Sequence, residues 1–329
     1  MEMPLVSIIT PSYNDGRFIE DNILSVKHQD YPFIEHIVVD GGSIDSTLSI
    51  LRKYKTVRWI SEPDSGVTDA FNKGISMASG DILAFQNSDD VYYGSDAVHK
   101  AVNAMLSNPT VGVIFGDFAT IDVDGRIVHF SQGGGGKQYS LPALLCSEFT
   151  IPLVSAFIRR SAIEAIGGKL DASLDFAADW ELWTRIGLKF PIMYVAERFG
   201  SVRKYPGEIK HTLRCALENP AKRRLVLDRV FRDSALSPEI RALQKQAYAG
   251  TYRNEALRLL NIGYRKKAMR RIFTAVRLYP RYLLNKELWF YFLNSFGSRK
   301  LIDWAKVLKH KVRKKRSPLK KSQYVRWWQ

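Results

Sequence analysis

Short apolar runs alternate with amphipathic segments along the first two hundred residues. Runs that are rich in β-branched residues and end in polar residues or glycine predict strands, here over residues 5–10, 36–40, 57–60, 82–85 and 111–116. The segments between them carry apolar side chains at helical spacing and predict helices over residues 18–29, 43–54, 67–77 and 97–106. This alternation predicts an α/β fold with a mostly parallel central sheet and helices on both faces.

Polar and acidic residues follow four of the predicted strands. In a sheet of this kind, ligands bind beyond the carboxyl ends of the strands. These positions are residues 11–15, 40–43, 62–66 and 86–90. The last stretch reads QNSDD, and the adjacent carboxylates of Asp89 and Asp90 repel each other unless a cation joins them. The pair is therefore either a solvated turn or part of a metal site.

The usual phosphate-binding loops are missing from the sequence. It contains no GxxxxGK[ST] motif, and no GxGxxG motif follows a strand. The four glycines at 133–136 precede no helix signal, which predicts a mobile loop rather than a phosphate site. An acidic edge can still bind a diphosphate when Mg²⁺ or Mn²⁺ bridges the two, because a hard cation keeps several waters and takes only one or two protein carboxylates.

Five motifs carry a family resemblance. They read VSIITPSYN at 6–14, VVDGGSIDST at 38–47, SEPDSGVTDAFNKGI at 61–75, GDILAFQNSDD at 80–90 and AADWELWTRI at 177–186. In this order they are similar to the motifs of family 2 glycosyltransferases with the Rossmann-like GT-A fold, over about residues 4–205. The resemblance implies a metal-dependent, inverting transfer of a sugar from a nucleotide-diphosphate donor, with a UDP-sugar favoured. The acceptor would be a hydroxyl of a glycan or lipid-linked glycan in bacterial cell-surface polysaccharide synthesis.

The resemblance assigns donor-binding roles to residues at the strand ends. Pro11 and Tyr13 match the segment that lines the nucleobase and ribose, where an aromatic face can pack on a base. For Tyr13 alone, a half-buried aromatic at a strand end is an equal alternative. Asp40 matches the acid that accepts a hydrogen bond from the base. Asp69 lies on a helix whose start would approach the donor, although a plain helix-surface position explains it equally well.

The DxD metal motif of the family falls on Asn87, Ser88 and Asp89, with an amide in place of the first acid. We expect Asp89 to bind Mg²⁺ or Mn²⁺ between the two phosphates, where the ion neutralises the leaving nucleoside diphosphate. We expect Asn87 and Ser88 to contact the donor, since an amide keeps an acceptor oxygen while losing the charge. Asp90 is expected to orient the loop or to cap the following turn.

Asp179 matches the general base that deprotonates the acceptor hydroxyl. An inverting displacement needs one such base on the face opposite the leaving diphosphate. The neighbouring Trp180 and Trp183 would partly desolvate the carboxylate, which favours its uptake of a proton. The alternative is an N-cap for the helix that follows, a role that Asp179 could combine with catalysis.

A non-catalytic protein with the same fold is the rival interpretation. Many relatives carry His-Gln where this chain has Leu153 and Val154, and Asn87 is the second departure. Such a protein would bind a nucleotide sugar or a polyanion without turning it over. Arg159 and Arg160 either face phosphates or close the predicted strand, and the sequence does not rank the two.

Charge divides the chain into two regions. Residues 1–200 carry 16 Lys/Arg and 25 Asp/Glu, whereas residues 201–329 carry 33 and 8. The family resemblance, which runs to about residue 205, implies a nucleotide-sugar-binding and catalytic domain over 1–205. The charge and the amphipathic segments that follow predict a basic α-helical region over 206–329. Residues 304–329 contain ten Lys/Arg, no acid and several aromatic residues. We expect this region to meet an anionic membrane surface, because basic residues attract acidic headgroups and aromatic side chains settle at the interface.

Nucleic-acid binding and a merely solvated basic tail are the alternatives for this region. The acidic first region and the sugar-transfer motifs favour lipid, so we expect no nucleic-acid partner. The start of the chain has no basic n-region, and no apolar run is long enough to span a bilayer. Cys146 and Cys215 stand far apart without CxxC spacing, which argues against a zinc site or a disulfide framework. We expect a cytoplasmic protein that is peripheral on the inner face of the cytoplasmic membrane.

Overall fold

The computed structural model describes residues 3–205 and 209–286, together with residues 288, 290 and 291. These residues divide into two compact units. The first contains residues 3–141 and 149–205, and the second contains residues 142–148 and the described residues from 209 onward. The short segment 142–148 belongs with the second unit. The domain boundary predicted at 205/206 stays a prediction.

In the described part of the chain, a nine-stranded sheet forms the centre of the first unit. Its strands are β1 Val6–Ser12, β2 Ile34–Asp40, β3 Val57–Ser61, β4 Ile82–Phe85, β5 Val91–Tyr92, β6 Val113–Ile121, β7 Ile127–Ser131, β8 Ala156–Arg159 and β9 Ile192–Arg203. The strand order is β3-β2-β1-β4-β8-β6-β9-β5, and β7 pairs with β6. Strands β1 to β4, β6 and β9 run in one direction, and β5, β7 and β8 run against them. The mostly parallel sheet is confirmed.

The helices up to residue 187 are α1 Ile19–Lys27, α2 Thr47–Leu51, α3 Val67–Met77, α4 Ala97–Leu106, α5 Leu141–Leu145, α6 Arg160–Glu164 and α7 Ala178–Gly187. Of the four predicted helices, α1, α3 and α4 have bounds at or near the predicted ones. Helix α2 is shorter than the predicted 43–54. The reason is that the carboxylate of Asp45 accepts hydrogen bonds from the backbone N–H and the hydroxyl of Thr47, at 2.9 and 2.5 Å, and so holds the preceding residues as a turn.

Both faces of the sheet are covered by helices, and β4 shows how. Phe85 packs on Phe71 of α3, with ring centroids 4.8 Å apart. Ala84, whose side chain points to the opposite face, lies in a buried cluster with Val98 of α4. Burying an aromatic side chain of this size stabilises the fold by about 1.5–3 kcal/mol. This two-sided burial explains why ILAF at 82–85 is apolar throughout instead of alternating with polar residues.

A glycine inside α3 lets this helix approach the sheet closely. A Cβ on Gly74 would lie 2.2 Å from Cγ2 of Ile9 in β1, a distance that real side chains do not tolerate. Glycine in a helix interior costs about 1 kcal/mol relative to alanine. The close approach therefore explains a residue that helix propensity alone disfavours, and it fixes the position of the α3 start beside the sheet edge.

The four-glycine run at 133–136 forms a packed 3₁₀ turn, Gly133–Gly136, instead of the predicted mobile loop. The backbone N–H of Gly133 donates to Oδ1 of Asp117 in β6, at 3.0 Å. A Cβ on Gly134, which has φ +63°, would lie 2.1 Å from the Phe149 ring. Close packing and positive φ thus account for the glycines without a phosphate ligand.

The second unit is helical in its described part. Its main helices are α8 Ile209–Arg232, α9 Pro238–Ala242, α10 Gln244–Asn261 and α11 Arg265–Leu278. Leu259 of α10 and Ile272 of α11 share a buried cluster, and Gly263, with φ +87°, makes the turn between the two helices. Residues 304–329, the predicted basic tail, lie outside the described residues. In the two main described ranges, no helix combines the length and the hydropathy that crossing a bilayer would require.

Candidate active site

Parallel pairing brings four of the predicted strand ends to one edge of the sheet. Ser12 at the end of β1 lies opposite Asp40 at the end of β2, which in turn pairs with Ser61 at the end of β3. β1 also pairs with β4, which ends directly before QNSDD. Pro11 is buried within β1. We call this edge the acidic rim and define it as residues 11–15, 40–43, 62–66 and 86–90.

Asp40 is fully buried and organises the loop that follows β2. Its Oδ2 accepts hydrogen bonds from the backbone N–H groups of Gly42 and Ser43, at 3.1 and 2.8 Å, and from the hydroxyl of Ser61 at 2.7 Å. Its Oδ1 accepts the hydroxyl of Ser43. These four bonds satisfy a carboxylate that would otherwise be costly to bury. The predicted contact of Asp40 with a nucleobase stays a prediction.

The loop after β1 is joined to the loop after β2 and presents an exposed ring. The backbone N–H of Asn14 donates to the hydroxyl of Ser43 at 2.8 Å, and the Asn14 side-chain oxygen accepts the N–H of Ile44 at 2.9 Å. Asn14 has φ +55°, a conformation that asparagine tolerates better than most residues. Tyr13 is 62% exposed. The half-buried alternative for Tyr13 is therefore wrong, and its predicted contact with the donor stays a prediction.

Asp15 belongs to the same rim, although the sequence motifs gave it no role. Its carboxylate accepts the hydroxyl of Ser88 across 73 residues of sequence. Burial raises the pKa of Asp15, and the negative charges of Asp89 and Asp45 raise it further, against hydrogen bonds from Ser88 and the backbone of Tyr13. Its position after a strand end was the one feature of the sequence that could have marked it as a site residue. Its contact with Ser88 joins distant parts of the chain, so no local sequence pattern predicts it.

The QNSDD loop is held by its own second acid. The buried carboxylate of Asp90 accepts the side-chain N–H of Asn87 at 3.1 Å and the backbone N–H of Arg203 at 2.9 Å. Burial, with the adjacent charge of Asp89, raises the pKa of Asp90 well above its usual value. An acid in place of Asn87 would put a second carboxylate against this buried one. The contact with Asp90 is thus a physical reason for an amide at position 87, and the hydrogen bonds of Asp90 hold the loop.

Two residues at the end of β9 fix Asp89, and the sequence motifs missed both. The guanidinium of Arg203 donates to the backbone carbonyl of Asp89 at 2.9 Å and pairs with Asp21 of α1 at 3.1 Å. The hydroxyl of Tyr205 donates to Oδ2 of Asp89 at 2.7 Å, and burial raises the pKa of this hydroxyl, with a further rise from the bond to Asp89. The carboxylate of Asp89 is half-buried and held in one orientation.

Asp69 lies in the first turn of α3, next to the rim segment 62–66. Its Oδ2 accepts the backbone N–H of Ser65 at 3.1 Å and lies 3.8 Å from Nζ of Lys73. Lys73 also pairs with Glu62 at 2.8 Å. These contacts explain Asp69 as a local loop-and-helix residue, so its predicted donor contact stays a prediction.

Asp179 is the second residue of α7. The N-cap position is occupied by Ala177, so the alternative that Asp179 is the N-cap is wrong. Its Oδ1 accepts the backbone N–H of Trp180 at 2.6 Å, and its side chain is half-buried. Glu181 points elsewhere and pairs with Arg185, at 2.5 and 2.8 Å.

Arg159 and Arg160 lie at the edge of the sheet opposite the acidic rim. β8 runs antiparallel to β4, and Arg159 pairs with Ile82, the first residue of β4. Arg159 donates to the carbonyls of Met105 and Val111, at 3.0 and 3.1 Å, and Arg160 donates to the carbonyl of Gly80. The two arginines close the strand and do not face the rim.

Comparison with known proteins identifies the family. The pattern described as glycosyl transferase family 2 matches residues 7–167. An uncharacterized glycosyltransferase of Mycobacterium tuberculosis is 37% identical over 188 residues, which cover 56% of this chain and 70% of that protein. The chain belongs to glycosyl transferase family 2.

The chain is also similar to a further relative and to two solved structures. A Bacillus subtilis glycosyltransferase named for teichuronic acid biosynthesis, TuaG, is 40% identical over 108 residues, which cover 31% of this chain and 42% of that protein. S. aureus TarS 1–349 in complex with UDP-GlcNAc has a TM-score of 0.62 and 18% identity, covering 88% of this chain and 90% of that one. A Pyrobaculum calidifontis mannosyltransferase in complex with GDP-Man and Mn²⁺ has a TM-score of 0.57 and 18% identity, covering 90% and 86%. At this identity the two structures establish the GT-A fold alone.

The rim offers part of a ligand set for a hard divalent cation. Asp15 and Asp90 both have a raised pKa because they are buried near Asp89, and the nearby guanidinium of Arg203 is already engaged by carbonyls and by Asp21. Among the residues that the structure describes, no three acidic, histidine or cysteine side chains form a metal cage by themselves. Such a partial set suits Mg²⁺ or Mn²⁺, which take most of their ligands from phosphate and water.

Proposed function

We propose that this glycosyltransferase moves a sugar, with inversion, from a nucleotide-diphosphate donor to a hydroxyl of a glycan or lipid-linked glycan. The observation that carries the proposal is the convergence of Asp15, Asp89 and Asp90 at the ends of β1 and β4, beside the exposed ring of Tyr13. Carboxylates this close together repel each other when ionised, and a bound cation would relieve that repulsion. A role in bacterial cell-surface polysaccharide synthesis is supported by the relative named for teichuronic acid biosynthesis.

The donor would lie along the acidic rim. Tyr13 offers a free aromatic face for a base, and the loop organised by Asp40 borders it. Asn87 uses its side-chain N–H on Asp90, which leaves its side-chain oxygen to accept a hydroxyl of the ribose or the sugar. We favour a UDP-sugar as the donor, and the UDP-GlcNAc complex of TarS supports this choice. The GDP-Man complex of the mannosyltransferase makes a GDP-sugar the alternative donor.

Asp89 would hold Mg²⁺ or Mn²⁺ with Asp15 nearby, and the ion supplies neutralisation of the leaving diphosphate when it is bound. The protein's own part is to keep Asp89 in place. Arg203 donates to the backbone carbonyl of Asp89, and Tyr205 donates to the carboxylate of Asp89. Because both contacts restrain the same residue, the carboxylate is pre-oriented before any ligand arrives.

Asp179 would act as the general base. Its carboxylate takes the proton of the acceptor hydroxyl while the hydroxyl oxygen bonds to the sugar and the bond from the sugar to the diphosphate breaks. The carboxylate is half-buried at the start of α7 beside the buried Trp180. Glu181 is less suited to this role, because Arg185 holds it in an ion pair.

The basic second unit would bring the enzyme to the inner face of the cytoplasmic membrane, where a lipid-linked acceptor is presented. Its support is the excess of Lys/Arg in residues 201–329, 33 against 8 Asp/Glu. Basic residues near an anionic surface contribute about 1 kcal/mol each to binding.

Release of nucleoside diphosphate tests the proposal. Purified protein with Mn²⁺ and a panel of nucleotide sugars should release the diphosphate from one donor class, and Asp89→Ala and Asp179→Ala should abolish release. Asp30→Ala, which removes an exposed acid between α1 and the start of β2, at the sheet edge opposite the rim, is the matched control and should keep full activity. Full turnover in both site variants would defeat these assignments. Binding of a donor without turnover under any acceptor would favour the non-catalytic rival.

A further inference from the structure

Helix α11 carries a continuous exposed face of cations and large apolar side chains. Its buried side, which packs within the second unit, consists of Ala268, Ile272 and Ala275. The opposite side follows the helical repeat at intervals of four, three and four residues, through Lys266, Arg270, Phe273 and Arg277, all of which are exposed. Met269 lies one turn before Phe273 on the same side. We call these five residues the basic face.

The apolar members of the basic face are unusually open to solvent. Phe273 is 71% exposed and Met269 is 40% exposed, and Leu284 in the following 3₁₀ turn is 83% exposed. Scattered exposed apolar residues are ordinary, but a cluster rimmed by charges marks an interaction surface. Leu283, in the same 3₁₀ turn as Leu284, is also more than half exposed.

The cations of the basic face are not neutralised inside the described chain. No carboxylate there pairs with Lys266, Arg270 or Arg277, whereas Arg271, on the flank, is paired with Glu255 at 2.7 Å. Residues 264–286 contain no acid at all. Cations in the first turn of a helix also oppose its macrodipole. These three cations have no carboxylate partner among the described residues and are exposed, so they are available to an external anion.

We propose that the basic face of α11 docks on an anionic lipid surface. The helix would lie in the plane of the headgroups, with Phe273 and Met269 in the acyl boundary and the three cations on acidic headgroups. At 14 residues, or about 21 Å, α11 is long enough to present all five side chains at once. A nucleic acid would satisfy the cations, but its phosphate backbone offers nothing to the exposed Met269 and Leu284. The proposal refines the proposed membrane role of the second unit, on which it rests.

Vesicle flotation of the full chain tests the proposal. Wild-type protein should float with phosphatidylcholine vesicles that contain about 30% phosphatidylglycerol, less so at high salt, and not with phosphatidylcholine alone. The triple variant Lys266→Gln, Arg270→Gln and Arg277→Gln should bind roughly 100-fold more weakly, at about fivefold for each cation. The double variant Met269→Ser and Phe273→Ser should bind at least about tenfold more weakly.

Matched variants in the first unit provide the control. Arg52→Gln, Lys53→Gln and Lys55→Gln remove three exposed cations, and Phe33→Ser removes an exposed ring. Both should bind vesicles as wild type does, and circular dichroism should show all variants folded. Equal binding by the α11 triple variant and its control would overturn the proposal.

Two further results would also overturn it. One is tighter binding to duplex DNA than to anionic vesicles, lost in the α11 triple variant. The other is a wild-type dimer in sedimentation that Phe273→Ser dissociates, since a second copy would then cover the face. Vesicle binding needs no donor, so Asp89→Ala should still float, and the α11 variants should still release nucleoside diphosphate in vesicle-free solution. Failure of the docking surface and failure of the transferase assignment are therefore distinguishable.

Discussion

Protonation of His36 should limit the stability of the protein at low pH. His36 is buried in β2, with its Nε2 3.0 Å from the hydroxyl of Thr10. Burial lowers the pKa of His36 from 6.5 to about 3. Between these values the unfolded chain binds a proton that the folded chain does not. The free energy of unfolding is therefore complete above pH 6.5 and falls as the pH drops towards 3.

The size of the effect follows from the shift. The full difference amounts to about 5 kcal/mol, of which about 2 kcal/mol is lost between pH values of roughly 6 and 4.5. Urea unfolding of wild type and His36→Gln at both pH values measures it, because glutamine keeps a hydrogen-bonding side chain that does not titrate. Acidic groups titrate in both proteins, so wild type should lose about 2 kcal/mol more than the variant. Equal losses would refute the claim that His36 is buried and neutral.

Three further substitutions test the packing of the rim. Gly74→Ala should destabilise by about 1–3 kcal/mol in urea unfolding, since its Cβ would collide with β1, and an unchanged midpoint would contradict the close approach of α3. Asn87→Asp should lower the free energy of unfolding by about 1–3 kcal/mol more than Asn87→Ala does, because it sets a carboxylate against the buried Asp90. If Asn87→Ala were the more destabilising variant in urea unfolding, this explanation of the amide would be contradicted. Arg203→Met should cost about 3–5 kcal/mol because the buried ion pair with Asp21 is broken, and a neutral result would show that the pair is dispensable.

Local sequence was sufficient for the strand ends and for much of the helical layer. The run ILAF predicted β4, and its position placed Asp89 at the rim beside the end of β1. Helix α3 has the predicted bounds because its apolar spacing and the glycine at its N-cap, Gly66, are local features. These features depend on neighbours a few residues away, which is why periodicity reveals them.

The residues that hold Asp89 depend on contacts far apart in sequence. Tyr205 reaches Asp89 across 116 residues, and Arg203 reaches it across 114. Their place follows from β9, which pairs with β6 and β5, so no local pattern marks them. The antiparallel insertion of β8 beside β4 is of the same kind, and it carries Arg159 to the edge away from the rim.

The central claim is that the acidic rim binds a nucleotide-diphosphate sugar through a divalent cation. A thermal-shift panel of nucleotide sugars, with Mn²⁺ and with chelator, tests it most directly. One donor class should raise the melting temperature only when Mn²⁺ is present, with a stabilisation of about 2.7 kcal/mol at a donor concentration about 100 times its Kd. Asp89→Asn should lose the Mn²⁺-dependent shift, and Asp30→Asn, at the sheet edge opposite the rim, should keep it. A shift that is the same with chelator, or the same in Asp89→Asn, would contradict the account.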